Sequence, residues 1–325
     1  MRRGNARELS LLVFIAVLAG ILLVFAPRFF ASKNLVDILV NTSYLAIAAL
    51  GMLFVILTGQ IDISVGAILG VCSTLAAVTA KAGQPIVVVF LVSIAAGAIL
   101  GGFNGLVSTQ FRIHSIIVTL GTLYAYRGAL ILVTQGAWIY NVPRSFNQIG
   151  LGDILGIPNP IWAMAIVLVV GTVVLRYTTW GRALYAIGSN TEAARLAGIP
   201  VRRVLLGAFA ANGALVGLAT MFFATRFSAI QSTTGSGFEF VIITAVLVGG
   251  ANIFGGTGRL LGVAMGALLL GLADSAFVFL KISSYWVQAF QGFVILVAVS
   301  LDNISFRRRR ATAAERNRAL TGGEA

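Results

Sequence analysis

Apolar runs of about 20 residues recur along nearly the whole of this chain. A helix of that length crosses a hydrocarbon core about 30 Å thick, so each run is a candidate transmembrane helix. Only 10% of the 325 residues are charged, against about 25% in an average soluble domain. The composition therefore predicts a polytopic membrane protein with no room for a separate soluble domain.

The apolar runs, read between breaker residues, predict an all-α protein with about ten transmembrane helices. The candidate spans lie near residues 9–26, 38–57, 65–80, 86–108, 115–134, 160–176, 204–224, 238–252, 260–279 and 287–304. The third and the eighth are short and could be broken or tilted. The first is long for the apolar core of a signal peptide, and no clear cleavage site follows it, so we expect it to be retained.

The basic residues predict which side of the membrane each end occupies. Ten spans place both termini on one side, and that side then holds 16 of the 23 Lys and Arg residues. Because cytoplasmic loops are enriched in these residues, we expect a cytoplasmic N-terminus at 1–8, a permease domain at 9–304 and a basic, disordered cytoplasmic tail at 305–325. Basic flanks explain the formal net charge of +13 without nucleic acid, and the arginines at 307–310 are expected to anchor the tail to anionic lipid.

A polar island at residues 178–203 interrupts the apolar pattern. Within it, residues 191–196 are helix formers behind the start signal Ser189/Asn190, and Gly198 and Pro200 end them. One interpretation is a docking surface for a cytoplasmic partner. The other is a solvated loop whose arginines only fix topology.

A second interruption, at residues 58–66, contains Gln60, Asp62 and Ser64. Structurally, Asp62 or Ser64 would cap the following helix and Gly59 would end the preceding one. Functionally, Asp62 and Gln60 would line a gate or a partner contact. The sequence leaves both open.

Further polar residues lie in or beside the predicted spans, namely Asn104, Thr119, Thr122, Arg127 and Glu239. An amide inside a span bonds a neighbouring helix or faces a polar pathway. Charges near the membrane interior are paired or line a water-filled path, and a pair between Arg127 and Glu239 would meet that need. We therefore predict that these residues, with Asp62, line a translocation pathway or gate.

No motif in the chain predicts enzymatic chemistry. The glycine-rich stretch 245–258 lacks the GxGxxG spacing and a surrounding strand–helix unit, so we expect a tight turn. GxxxxGK[ST], HExxH and GxSxG are absent from the sequence. The single Cys72 and the single His114 provide neither a disulfide nor a metal site.

Four motifs together resemble the membrane permease subunits of bacterial ATP-binding-cassette importers for monosaccharides, the ribose-permease-like family. Residues 56–66 resemble its LTGGIDLSVG signature, with Gln60 in place of the second glycine. Residues 104–107, 113–122 and 127–128 resemble its NGxLV…IPxFIxTLGT…RG segment, with His114 where proline is usual. Residues 179–198 are similar to its cytoplasmic coupling segment, and residues 235–258 to its GxGxEL…GGxxxxGGxG stretch. Residues 126–128 and 134–139 look somewhat like permeases for rhamnose or autoinducer two.

The resemblance implies a fold like that of type II importers and the presence of the other importer subunits. Two cytoplasmic ATPase subunits, which hold ATP and Mg²⁺, would dock on a coupling segment near 177–203. An extracytoplasmic binding protein would deliver the sugar, and a second permease copy or paralogue would complete the pathway in the bacterial inner membrane. The coupling residues implied are Gly181, Arg182, Gly188, Asn190, Glu192, Ala193, Ala194 and Gly198. The alternative is a stand-alone secondary transporter or channel, against which the scarcity of mid-span charges counts.

Overall fold

The computed structural model describes residues 12–283, apart from 14, 18 and 25, and residues 286–300, apart from 290 and 297–299. The predictions for the N-terminus at 1–8, for the tail at 305–325 and for the arginines at 307–310 lie outside the described residues. Parts of the first and last predicted spans are described, and residues 19–24 and 291–296 are helical.

The remaining described helices are numbered here in chain order. They are α1 (Ser32–Leu57), α2 (Val65–Lys81), α3 (Ile86–Phe111), α4 (Ser115–Thr134), α5 (Arg144–Leu151), α6 (Asn159–Tyr177), α7 (Thr179–Ser189), α8 (Thr191–Leu196), α9 (Val201–Ala224), α10 (Phe238–Val248) and α11 (Leu260–Phe279). A single 3₁₀ turn at Pro27–Phe30 precedes α1. Two-residue antiparallel strands, β1 (Asp153–Ile154) and β2 (Ile157–Pro158), form a small hairpin before α6.

Six of these helices are long and apolar enough to cross a membrane, namely α1, α3, α4, α6, α9 and α11. The prediction of an all-α, multi-spanning membrane protein is therefore confirmed. The third predicted span becomes α2, of 17 residues, and the eighth becomes α10, of only 11 residues. At about 1.5 Å per residue, α10 is only about 16 Å long and cannot cross the hydrocarbon core alone.

Helix α1 lies at the centre of the bundle. Within its most apolar 18-residue window, 83% of the residues are buried, and it packs against α6, α9, α10 and α11. In contrast, α3 and α4 leave most of their apolar surface exposed, with only 22% and 17% of the same window buried. These open faces are available to lipid or to another protein.

Glycines at four-residue spacing pack helices against each other. Gly97 and Gly101 of α3 face Gly213 of α9, and a Cβ added to Gly97 would overlap the carbonyl oxygen of Gly213. Gly262 and Gly266 of α11 make the same kind of approach to the end of α10. Small residues let backbones approach closely where the hydrophobic effect does not drive helix association.

Replacing Ser93 with alanine is expected to weaken this packing measurably. The Ser93 hydroxyl of α3 donates to the carbonyl of Gly217 of α9 at 2.7 Å, and an interhelical bond of this kind contributes about 0.6 kcal/mol in a membrane. We expect a small drop in the melting temperature of the purified protein. Thr172→Val is the control, because the Thr172 hydroxyl bonds only Leu168 in its own helix. Equal shifts in both variants would contradict the assignment.

Candidate functional site

The non-helical segment 58–64 passes between α1 and α2 in the interior of the bundle. Gly59, with a φ of +76°, turns the chain out of α1, and its Cβ position faces the carbonyl of Phe254. Asp62 and Ser64 are fully buried. A backbone that leaves helical geometry in a membrane protein needs other partners for its polar groups.

Asp62 is the centre of a buried polar cluster, which we define as Asp62, Ser64, Asn104, Tyr126 and Asn212. The Asp62 carboxylate accepts bonds from the Ser64 amide at 3.0 Å, the Ser64 hydroxyl at 2.6 Å, and Asn212 Nδ2 at 3.1 Å. Asn104 Nδ2 lies 2.7 Å from the Ser64 hydroxyl and 3.4 Å from Asp62. The Tyr126 hydroxyl donates to Asn104 Oδ1 at 3.1 Å. The cluster therefore joins segment 58–64 to α3, α4 and α9.

Helix α4 supports the same segment from its first two turns. The amide of Ile61 donates to the hydroxyl of Ser115 at 3.1 Å, and the amide of Ile63 donates to the hydroxyl of Thr119 at 3.1 Å. Two of the predicted pathway residues, Asp62 and Asn104, thus touch, and Thr119 binds the same segment. Thr122 does not join them, since its hydroxyl bonds the carbonyl of Thr119 in its own helix.

The expected capping of α2 is wrong in detail. Ser64 occupies the N-cap position of α2 but makes no side-chain cap hydrogen bond. Asp62 accepts from Ser64, which precedes α2, so its carboxylate holds the turn rather than the helix end. Gly59 follows the C-cap residue Thr58, with a positive φ, and ends α1 as predicted.

Arg127 and Glu239 both approach Gly66, where α2 begins close to the start of α10. The Arg127 guanidinium donates to the carbonyls of Ser232, Thr234 and Gly66 at 2.8, 2.7 and 3.2 Å. Glu239 Oε1 accepts from the Gly237 amide at 3.2 Å. Between these two described residues there is no ion pair, so backbone groups take the place of the pairing that the sequence left open.

Glu239 Oε2 is buried and has no hydrogen-bond partner among the described residues. A Cβ added to Gly66 would overlap this oxygen. Glycine at position 66 therefore gives α10 room to bring a carboxylate against α2. An unpaired carboxylate oxygen in a buried site is costly, which is typical of functional rather than purely structural groups.

The polar island folds into two helices, α7 and α8, of which the sequence predicted only the second. The Thr178 hydroxyl accepts from the amide of Gly181 at 3.0 Å and caps α7. Asn190 Oδ1 accepts from the amide of Ala193 at 3.0 Å and caps α8, so the second residue of the predicted start signal is the cap. Beyond α8, Gly198 has a φ of +80°, which confirms the predicted stop.

Helix α8 presents an exposed surface. Glu192, Ala193 and Leu196 are exposed, Leu196 to 83%, and Ala194 is buried beneath them. Glu192 also pairs with Arg195 at 3.3 Å, one turn apart. The outer side of α8 therefore carries both apolar and charged exposed side chains.

The glycines of α7 allow close backbone contacts within the chain. A Cβ on Gly188 would overlap the carbonyl of Leu57 and crowd the amide of Gly256, while Gly181 packs on the end of α6. The Gly256 amide donates to the Leu57 carbonyl at 2.9 Å. Residues 249–259 form the turn expected from the glycine-rich stretch, and α7 is held between this turn and the end of α1.

The Tyr185 hydroxyl strengthens this contact by donating to the carbonyl of Gly258 at 3.1 Å. Burial raises the pKa of this hydroxyl above its ordinary value, so it remains a donor at any physiological pH. Tyr185→Phe is expected to destabilise the α7 contact by about 1 kcal/mol and to leave the protein folded. Hydrogen exchange should then be faster in α7 than in wild type. Unchanged exchange there would show that the bond contributes nothing.

Sequence reasoning missed three members of this site, namely Ser115, Tyr126 and Asn212. Asn212 had a visible signal, because it is the single amide in the apolar run of α9. Ser115 and Tyr126 had none, since their partners lie 54 and 22 residues away in sequence. Among the described residues, no group of three or more His, Cys, Asp or Glu residues could hold a metal ion.

The chain is similar in sequence to membrane permeases. Residues 34–299 match the family described as branched-chain amino acid transport system / permease component. The ribose import permease protein of Haemophilus influenzae is 39% identical over 91% of each chain. The autoinducer 2 import system permease protein of Enterobacter species strain 638 is 36% identical over 97% of this chain and 90% of its own. The ribose import permease protein of Escherichia coli K12 is 36% identical over 91% of this chain and 94% of its own. No solved structure matches the chain.

Proposed function

We propose the function of this chain from one premise, which is that it belongs to the family of branched-chain amino acid transport system permease components. It is the membrane-spanning permease subunit of an ATP-binding-cassette importer and is not itself the enzyme. The observation that carries this conclusion is the 39% identity with a ribose import permease over 91% of both chains. ATP hydrolysis, with ATP and Mg²⁺, belongs to separate ATPase subunits.

The substrate we propose is a monosaccharide or a related small polyol or furanose. The relatives above are named for ribose and autoinducer 2, whereas the family description names branched-chain amino acids. We favour the sugar class because those relatives align over nine-tenths of the chain. Within this class, chemical selectivity would reside mainly in the extracytoplasmic binding protein.

The ATPase subunits would dock on α8, and α7 would transmit movements of α8 to the rest of the bundle. The exposed residues Arg182, Asn190, Glu192 and Ala193 are the direct contacts that we propose. Ala194, Gly181 and Gly188 support them from inside the chain, and Gly198 ends the segment. Because α7 touches the end of α1 and the turn at 249–259, a movement of α8 would reach the centre of the bundle.

A second permease copy or a close paralogue would cover the open face of α4. Around Gly121 and Gly128 there is open space within 4 Å of each Cβ position, and Tyr124 is 70% exposed. A helix in lipid with small residues on an unpacked face is suited to close approach by another helix. The binding protein would dock at the opposite end of the bundle from α8.

The translocation gate would lie where the two short helices α2 and α10 begin. Arg127 and Glu239 contact Gly66 at this point, and Thr122 lies on the same helix as Arg127. Discontinuous helices commonly mark the substrate path in membrane transporters. Asp62, Asn104 and Thr119 would hold segment 58–64 as a rigid wall of this gate during alternating access.

The orientation that fits these roles has both termini and the coupling segment in the cytoplasm. About ten membrane helices, of which α10 crosses only part of the core, would be arranged as in type II importers and place the protein in the bacterial inner membrane as a multi-pass subunit. The distribution of basic residues supports this orientation.

Co-purification from the native membrane in mild detergent tests the proposal. Recovery of an ATPase and a sugar-binding protein, identified by mass spectrometry, is the expected result. Uptake into liposomes by the purified chain alone, driven by an ion gradient, would instead establish the alternative of a stand-alone secondary transporter or channel.

A further inference from the structure

A basic cavity of about 1100 Å³ lies beside the coupling helix α8. The connection from α3 to α4 forms one wall, and the start of α9 forms the other. Its lining contains four arginines, Arg112, Arg195, Arg202 and Arg203, together with His114 and Gln60. The described lining residues include no carboxylate.

Most of this positive charge is uncompensated. Arg195 is paired with Glu192 at 3.3 Å, but Arg112, Arg202 and Arg203 make no ion pair among the described residues. Arginines that converge on a cavity repel each other and attract an anion from solution or from the membrane surface. The planar guanidinium group forms bidentate bonds with phosphate oxygens, so a phosphate group is the anion that fits best.

Apolar surface continues from the mouth of this cavity along the outside of the bundle. The lining itself includes Ile113, Ile199 and Leu205. Just outside it, Phe111 is 68% exposed and Ile117 is 66% exposed. Both belong to helices long and apolar enough to span the membrane. Because both lie near a helix end, this surface would contact lipid acyl chains close to the headgroups. The surroundings therefore suit an amphiphile rather than a free anion.

We propose that this cavity binds the headgroup of an anionic phospholipid, with its phosphate on Arg112, Arg202 and Arg203 and its acyl chains along α3 and α4. The proposal needs only a multi-spanning membrane protein and does not depend on the transported substrate. Basic cavities between transmembrane helices are a recognised form of lipid-headgroup site. A lipid bound here would bridge the α3–α4 connection and the start of α9, which follows α8, and would bias the position of the coupling segment.

Gln60 and His114, which stand where the family motifs have glycine and proline, both line the cavity. Gln60 is also the neighbour of Ile61, whose amide bonds Ser115 of α4. An amide and an imidazole in place of glycine and proline add hydrogen-bonding groups for a headgroup.

Native mass spectrometry of the detergent-purified full-length chain tests the proposal. Phosphatidylglycerol or phosphatidylcholine would be added back to wild type, to Arg202→Gln/Arg203→Gln, and to Arg28→Gln/Arg144→Gln. The last is a matched control that removes the same charge from exposed arginines outside the cavity. We expect wild type and control to retain phosphatidylglycerol in preference to phosphatidylcholine. The Arg202/Arg203 variant should retain it about 25-fold more weakly, since each of the two basic residues near a lipid surface contributes about fivefold.

Three outcomes would overturn the proposal. The first is equal phosphatidylglycerol retention by both double variants. The second is displacement of the lipid by millimolar inorganic phosphate, which would assign the cavity to a soluble phosphate compound. The third is loss of ATPase co-purification in the Arg202/Arg203 variant with lipid retention unchanged, which would make the cavity part of the protein interface. Arg112→Gln, measured alongside, provides a second test if the double variant does not fold.

Discussion

Replacing Ala193 with arginine is expected to abolish uptake while the permease remains folded in the membrane. Ala193 lies on the exposed surface of α8, so a long side chain there meets no atom of this chain's interior. In the assembled importer the same side chain would bury an unpaired charge against the ATPase, which is strongly unfavourable. We expect the uptake rate to fall by more than about tenfold, equivalent to at least about 1.4 kcal/mol of lost coupling. Radiolabelled sugar uptake, normalised to permease in isolated membranes, is the measurement.

Gln110→Arg is the control, since Gln110 is exposed near the end of α3 and lies outside the coupling segment. It introduces the same positive charge and should leave uptake near the wild-type rate. Gly188→Arg is a poor probe, because even a Cβ at that position overlaps the carbonyl of Leu57 and the variant should not fold. Normal uptake by Ala193→Arg would remove α8 from the ATPase interface and favour the interpretation of a solvated loop.

The contrast between these two positions shows what could be predicted from the sequence. The polar island and the start signal Ser189/Asn190 are local features. The sequence identified the island and the start of the helix, but not which of the two residues is the cap. The role of Gly188 is not local, because it depends on the backbone of Leu57 and Gly256, which are far apart in the chain. In the sequence, the glycines and the exposed residues of the coupling segment therefore all counted as coupling residues. In the structure, Gly188 makes contacts within the chain, whereas Ala193 is exposed.

The long-range partners of the polar residues in the spans are likewise not visible in the sequence. Asp62, Asn104 and Thr119 were selected because polar groups inside apolar runs are unusual. This criterion can be applied without knowing which residues they bond. The long-range bond from Asn212 to Asp62, across 150 residues, depends on how α9 packs on the bundle. The pattern of apolar residues predicts that a helix exists at α9, but not which neighbour its single amide will meet.

Replacing Asp62 with leucine is expected to prevent folding of the permease. The Asp62 carboxylate accepts from Ser64 and Asn212 in a site with no exposed surface. Leucine would leave these donors buried without partners, at a cost of about 1–3 kcal/mol for each group. Several such costs together approach the whole stability of a typical protein. We expect little or no monodisperse permease by fluorescence-detected size-exclusion chromatography.

Asp62→Asn separates the structural role of this carboxylate from a role of its charge. The amide introduced at position 62 would place its NH₂ donor against the Asn212 Nδ2 donor. Asn212 Oδ1 is an acceptor that is buried and has no hydrogen-bond partner. A flip of the Asn212 amide would therefore supply the missing acceptor, and we expect the variant to fold and to retain most of its uptake. The double variant Asp62→Asn/Asn212→Leu, which removes that acceptor, should be markedly less stable. A folded Asp62→Asn variant without uptake would show instead that the negative charge itself works in the gate.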